Sequence, residues 1–408
     1  MTQTTPVRTP APRAVDVPFH RASIDEDDIA AVVAVLRSGW LTTGPQARAF
    51  ENAFAAELGG GVTALAVNSC TSAMHLALEA AGVGAGHLVL TTPYTFTATA
   101  EVIRYLGADP VFADVDPRTG NLTERSVRRA YEQLPRADRG RVRALLPVHF
   151  AGLPCDLTAL SALASAHGWH LVDDAAHALP ASHAGLPVGR WGSATAFSFY
   201  ATKTLCTGEG GMVVSSDEEL LRRMRVMRLH GIDRDAFDRY ATHDAWRYSV
   251  VAPGFKYNLP DLAAALGVTQ LRRVRELRAK RAALAESYDA LVAGIAGLTA
   301  PARPAGPDEH AWHLYALQVD DGPAVRDQLV RELAAVGIGT SVHFIPLHLQ
   351  PYYRDAYRLC PQDLPGATGL FRRELSLPLF PDMTGEQLQH VATSLPPALQ
   401  RARQAVRR

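Results

Sequence analysis

The chain is predicted to be α/β: a mostly parallel sheet with helices on both faces, followed by a smaller α+β unit. Three observations carry this. From about residue 63 short β-like runs alternate with amphipathic helix-length stretches, and strands alternating with helices build parallel sheets covered on both faces. The 408 residues are enough for two or more domains, each with its own core. After Asp261 the texture changes to a long Arg-rich, Ala/Leu-periodic stretch. The expected organisation is a loose arm at 1–17, a large α/β domain at 18–260, and a linking helix with a small domain at 261–408.

Residues 1–17 are rich in Thr, Pro and Arg, as suits an arm. Ser23 is the expected N-cap of a first helix, with Asp25, Glu26 and Asp27 complementing its dipole. Ile29, Val32, Val33 and Leu36 give that helix its apolar face, and Gly39 ends it. A second helix follows Pro45, with Phe50, Phe54 and Leu58 on one side. Strands are expected at 63–67, 88–92, 110–115, 142–150, 170–174, 194–200 and 212–215. Helices between them are expected at 71–81, 96–105, near 123–134 and at 157–166. Beyond a single helix over about 261–295, strands are expected at 312–319 and 340–344 and helices near 323–336 and 385–404.

Composition narrows the function. Forty-one basic and 41 acidic side chains cancel, so no overall field favours nucleic acid or an anionic membrane. Cys70, Cys155, Cys206 and Cys360 show no paired spacing, which argues against a disulfide framework or zinc site and suits a reducing cytoplasm. No apolar run reaches the length of a membrane span, and Met1–Arg13 lacks the apolar core of a signal peptide. A cytoplasmic protein is expected, with no metal, nucleic-acid or membrane partner.

The candidate chemistry gathers where strands hand over to helices, since ligands of such sheets bind beyond the carboxyl ends of the strands. Lys203 is one of only three lysines and stands between two apolar runs, 194–200 and 212–215. Burial lowers an amine's pKa, and a neutral amine condenses with aldehydes; a lysine snorkelling from a loop is the alternative. Ser69-Cys70-Thr71 at a strand-to-helix junction would hold a phosphate on backbone N–H groups and hydroxyls, or Ser69 or Thr71 would simply cap the helix. Phe96 would lie over a planar ring or belong to the core. Asp173 and Asp174 end a strand, so only one faces the crevice. A carboxylate beneath a pyridine nitrogen keeps that nitrogen protonated. His310-Ala-Trp-His313 and His343…His348 lack the spacing of metal ligands on one helical face, and Gly208-Glu-Gly-Gly211 lacks the dinucleotide order.

Together with Asn68-Ser-Cys-Thr-Ser-Ala73, Thr95-Phe-Thr-Ala-Thr99, Pro147-Val-His-Phe-Ala-Gly152, Asp173-Asp-Ala-Ala-His-Ala178, Phe197-Ser-Phe-Tyr-Ala-Thr-Lys203 and Ala252-Pro-Gly-Phe-Lys-Tyr-Asn-Leu-Pro-Asp261, these form one ordered set. The chain resembles the DegT/DnrJ/EryC1/StrS family of sugar aminotransferases over roughly residues 20–395. Within it the likeness is to the subgroup acting on nucleotide-linked 4-keto sugars, the UDP-4-amino-4-deoxy-L-arabinose aminotransferase type.

The resemblance implies a fold-type I enzyme with a seven-stranded sheet, dependent on pyridoxal 5'-phosphate. It makes Lys203 the lysine bonded to the cofactor aldehyde and Asp174 the partner of the pyridine nitrogen. It places His177 near the ring oxygen and Phe96 on the ring, with Thr71, the Cys70 backbone and Ser198 on the phosphate. It implies a homodimer with shared sites, in which Lys256 and Asn258 reach the neighbour's cofactor; many relatives have Asn-x-Arg there. His343 and His348 are candidate substrate contacts. The implied reaction passes an amino group from glutamate to a nucleotide-linked keto-sugar. One alternative is a keto-cyclitol aminotransferase using glutamine. A dehydratase of the family would carry histidine in place of Lys203, and a non-catalytic regulator would not need an intact Lys203 and Asp174.

Overall fold

A computed structural model describes residues 15–233 and 248–408. Its centre is a seven-stranded sheet whose strands run, side by side, Thr63–Val67, Gly211–Ser215, Ala194–Ser198, His170–Asp174, Val142–Leu146, Leu88–Thr91 and Asp109–Phe112. All adjacent pairs are parallel except the two made by Gly211–Ser215, which is antiparallel to both neighbours. The reversed strand follows from the chain path: after Ser198 a loop returns directly, without a crossover helix, and such a return makes an antiparallel pair.

Apolar clusters cover both sheet faces. Phe50, Phe54, Leu145, Leu171, Phe197 and Phe199 belong to one. Leu65, Met74, Leu76, Val89, Val172 and Val213 belong to the other, against the helices Cys70–Ala80 and Glu218–Arg228. A third cluster surrounds the three-stranded sheet Leu298–Thr299, Tyr315–Val319 and Glu374–Leu377, packed by the helices Pro323–Ala335 and Gly385–Arg407.

Several boundaries differ from expectation. The first helix, Glu26–Ser38, is capped by Asp25 rather than Ser23; Asp25 accepts from the Asp28 N–H at 3.0 Å while Asp28 reaches back to the Asp25 N–H. The expected single helix over 261–295 is two, Asp261–Arg272 and Val274–Ala293, because Arg273 leaves helical geometry at φ −106° and ψ 1°. The first of these packs on the helices Glu26–Ser38 and Pro45–Glu57 beside the large sheet, with Asp261 receiving the Gly44 and Ala47 N–H groups at 2.7 and 3.0 Å. The run 340–344 forms no strand, only a bridge between Ser341 and Ser376. Most of the expected arm, residues 1–14, lies outside the described residues. Its last residue, Val17, is fully buried and exchanges backbone hydrogen bonds with Gly337 and Gly339 at 2.9 and 2.8 Å.

Among the described residues no helix is long and apolar enough to cross a membrane.

Candidate active site

The carboxyl ends of the parallel strands open onto a cavity of about 570 Å³. Lys203 enters it from the loop after Ala194–Ser198. That loop is closed at its base by hydrogen bonds between Phe199 and Gly210 (2.9 Å) and between Thr207 and Phe199 (2.8 Å). Burial lowers the Lys203 amine to about 8, against the upward pull of Cys70 and Asp174. An amine so placed has a sizeable neutral fraction near neutral pH and can attack an aldehyde.

Strand alternation separates the two aspartates. Asp173 turns to the face away from the cavity, fully buried, accepting from Thr195 Oγ1 at 3.0 Å and 4.0 Å from His149 Nε2. Asp174 lines the cavity. Its Oδ2 accepts from Thr99 Oγ1 at 2.8 Å and its Oδ1 from the Ala176 N–H at 3.1 Å, with Cys70 Sγ 3.9 Å away. Burial raises the Asp174 pKa, and those donors together with the Lys203 charge oppose the rise.

Cys70 and Thr71 begin the helix Cys70–Ala80 and both line the cavity. Both readings of this junction hold, on different residues: Ser69 is the cap, accepting from the Ser72 N–H at 3.1 Å, while Thr71 faces the cavity. The junction is pressed against Gly211, where a Cβ would sit 2.4 Å from the Ser69 carbonyl carbon. Ser198 also lines the cavity. Phe96 lines it too and leaves 63% of its surface open, so its ring is no core aromatic.

His177 and His343 complete this group. The His177 ring lies 4.2 Å from that of His313. His313 in turn brings Nε2 to 3.5 Å from Lys203 Nζ. Burial first, then the Lys203 charge, lowers the pKa of both histidines, so both are neutral imidazoles. His313 was singled out in the sequence only within its motif; its contact with Lys203 joins residues 110 positions apart and has no local signal. His20 is a second such residue. It lines the cavity with Nε2 2.9 Å from the Ala201 carbonyl.

Three expected residues do not line this cavity, two of them, Lys256 and Asn258, being those expected at the neighbouring subunit's cofactor. His348 is fully buried outside the cavity, its Nε2 bonded to Thr368 Oγ1 at 2.8 Å. Lys256 is exposed, and its carbonyl accepts from Asn68 Nδ2 at 3.3 Å. Asn258 donates to Thr43 Oγ1 at 2.6 Å and bridges Val67 at the sheet edge. Neither Lys256 nor Asn258 lines this chain's own cavity.

The fold and this set of residues define a pyridoxal-phosphate aminotransferase, and comparison with known proteins gives the family. The DegT/DnrJ/EryC1/StrS aminotransferase family profile matches residues 22–396, and the chain belongs to that family. It is 43% identical to the spore coat polysaccharide biosynthesis protein SpsC of Bacillus subtilis, over 92% of this chain and 95% of that protein. Among solved structures it is similar to Streptococcus pneumoniae Spr1654, assigned as a sugar aminotransferase. The PMP-form of Spr1654 superposes with a TM-score of 0.87 at 29% identity, covering 95% of this chain and 100% of that one; a PLP-form is also known. Helicobacter pylori PseC, an aminotransferase of pseudoaminic acid biosynthesis, superposes at 0.86 with 28% identity over 95% and 100% of the two chains.

The cavity fits pyridoxal phosphate on its own terms. It offers an amine for the aldehyde, a buried carboxyl for the ring nitrogen and a helix N-terminus for the phosphate. The Nδ1 atoms of His177 and His313 are buried without hydrogen-bond partners, as befits polar atoms that await a ligand.

Proposed function

We propose that this enzyme moves an amino group from glutamate to the keto group of a nucleotide-linked keto-sugar, as a homodimer with shared sites. The observation that carries the reading is that Lys203 and Asp174 open onto one cavity beside the helix N-terminus at Cys70–Thr71.

Pyridoxal phosphate, when bound, supplies the electron sink that lets an amino acid lose its α-proton and exchange its nitrogen. Lys203 is assigned the bond to the aldehyde carbon and, once released, the transfer of that proton as general base and acid. Its lowered pKa suits the task. Asp174, held by Thr99 and Ala176, would keep the ring nitrogen protonated. The Cys70 N–H, the Thr71 hydroxyl and Ser198 would bind the phosphate, Phe96 would cover one face of the ring, and His177 would meet the ring oxygen. Lys256 and Asn258, neither of which lines its own cavity, are assigned to the partner subunit's cofactor.

The sugar acceptor is supported by the roles of SpsC and PseC in polysaccharide and pseudoaminic acid biosynthesis. Its nucleotide link is supported by a second cavity of about 800 Å³ that shares Thr95, Phe96 and Phe344 with the first. Tyr105 and Tyr352 line it beside Arg104 and Glu101, an aromatic surface on which a base can stack, with Arg104 already paired to Asp109. A keto-cyclitol would leave it empty.

The test is a panel of UDP-, dTDP- and GDP-linked keto-sugars and a keto-inositol, with glutamate and glutamine as donors and product read by mass. Turnover of a nucleotide sugar with glutamate is the expected result. Turnover of the cyclitol alone replaces this reading with the alternative.

A further inference from the structure

Behind the cavity wall runs a line of three polar side chains that the chemistry above does not use. His343 lines the cavity. Its Nδ1 is 2.9 Å from Ser376 Oγ, and that hydroxyl is 2.5 Å from Glu374 Oε1. The other Glu374 oxygen accepts the His343 backbone N–H at 2.7 Å. Glu374 and Ser376 are both fully buried. They are two residues apart on the strand Glu374–Leu377 and so share a face. The backbones of Ser341 and Ser376 are tied by reciprocal hydrogen bonds of 3.1 and 2.8 Å. Phe19 stacks on the His343 ring at 5.6 Å and Phe344 meets it edge-on at 5.0 Å. Among the described residues no hydrogen bond engages His343 Nε2, the ring's remaining polar atom.

A hydroxyl has one proton to donate. Glu374 Oε2 is committed as an acceptor, so the direction of the line is decided at Oε1. With a proton there, Glu374 donates to Ser376, Ser376 donates to Nδ1, and the imidazole proton sits on Nε2. With Glu374 ionised, Ser376 donates to the carboxylate, Nδ1–H donates to Ser376, and Nε2 offers a lone pair. Between the two states Glu374 releases one proton to solvent, and His343 keeps one proton on the other nitrogen.

We propose that Glu374, acting through Ser376, decides which His343 nitrogen carries the proton, and so whether the sugar site meets a donor or an acceptor at Nε2. The inference rests on the sugar reading of this cavity, and Glu374 is a positioning residue. Burial pushes its carboxyl up to about 8, against Ser376, the His343 N–H and Arg326. At neutral pH it is the acid, and Nε2–H faces the cavity as a donor for a keto or hydroxyl oxygen. Burial and Lys203 hold His343 itself down at about 4, so its ring stays neutral throughout. The other groups facing this line are Arg326, whose Nη1 donates to the Glu374 carbonyl at 2.7 Å, and Tyr94, whose hydroxyl donates to the His343 carbonyl at 2.5 Å. The neighbouring strand brings the uncharged Gln318, and Lys203 lies across the cavity together with His177 and His313, each of which feels His343.

Lys203 also titrates near 8, so the deciding comparison is with Glu374→Gln. Its amide keeps an oxygen for the His343 N–H and gives an N–H to Ser376, which locks the donor form. Nitrogen NMR of histidine-labelled, pyridoxal-phosphate-loaded protein reads the tautomer, with His343 assigned by His343→Gln. The wild type should carry Nε2–H well below pH 8 and Nδ1–H well above it, while Glu374→Gln keeps Nε2–H throughout. With UDP- and dTDP-linked 4-keto-6-deoxyglucose as probes, the wild-type KM should rise about fivefold across that transition relative to Glu374→Gln, the order of one lost hydrogen bond. Ser376→Ala should disconnect His343 from pH and serves as a second variant. Nδ1–H in the wild type below pH 8, or a pH-following tautomer in Glu374→Gln, overturns the proposal; so does a KM that stays flat while the tautomer switches. If neither probe is turned over, the tautomer alone decides this proposal, and the full substrate panel decides the sugar reading.

Discussion

Lys203 Nζ and His313 Nε2 stand 3.5 Å apart, joining the loop after the sixth strand in chain order of the large sheet to the segment before Tyr315–Val319. Because burial and the lysine charge keep His313 neutral, it can accept a hydrogen bond from the amine without repelling it. The C-terminal half of the chain thereby helps aim an amine carried by the large sheet.

Lys203→Ala should abolish turnover. In the wild type, borohydride reduction followed by digestion and mass spectrometry should find the cofactor's mass on the peptide containing Lys203. Label on a peptide containing Lys256 or Lys280 instead would remove the assignment.

The apoprotein should load cofactor faster as pH rises, because only the neutral amine attacks an aldehyde. Burial lowers the Lys203 amine to about 8, so the loading rate should climb through that pH and level off above it. For this group the folded pKa lies below the unfolded one. The unfolded chain therefore holds more protons between about 8 and 10.5, and the lysine's contribution to apoprotein stability rises with pH across that window. Stopped-flow absorbance reads the first effect and denaturant midpoints the second; a plateau reached only above pH 10 would contradict both.

Gly211→Ala tests the close approach behind the end of the cavity proposed for the phosphate. Its Cβ would fall 2.4 Å from the Ser69 carbonyl carbon and 2.7 Å from the Cys70 nitrogen. The strain should cost about 1–3 kcal/mol of stability and push the helix N-terminus out of place. Cofactor affinity should drop more than tenfold by fluorescence titration; unchanged affinity would separate this junction from the phosphate.

Mixing Lys203→Ala with Asn258→Ala tests the shared site. If Asn258 serves the partner's cofactor, each protein alone is inactive, and their hybrid dimers contain one intact site. Statistical mixing should restore about a quarter of wild-type activity per subunit. No recovery, with dimers confirmed by sedimentation, would return Asn258 to a structural role beside Thr43.

Much of this was legible locally. Lys203 stood out as a rare amine between apolar runs, and strand alternation allowed only one of Asp173 and Asp174 to reach the crevice. The parallel core followed from strand–helix alternation, whereas the reversed Gly211–Ser215 shows itself only as a short return loop. What escaped is what tertiary contact decides. His348 and His343 look alike in sequence, yet one is sealed against Thr368 and the other faces the cavity. The Ala/Leu periodicity continues across Arg273, and nothing in it marks the break. That residue's guanidinium instead binds Asp25 and Asp28 of the first helix, at 3.0 and 2.5 Å.

Val17 bridges to Ile338 while Phe19 and His20, two and three residues on, form part of the cavity wall. Residues 17–20 therefore act as a strap between the two. A cut between Val17 and His20 would release the backbone partner of Gly337 and Gly339 and open the cavity wall together. Proteolytic nicking in this short stretch would register as lost activity before any loss of the main sheet.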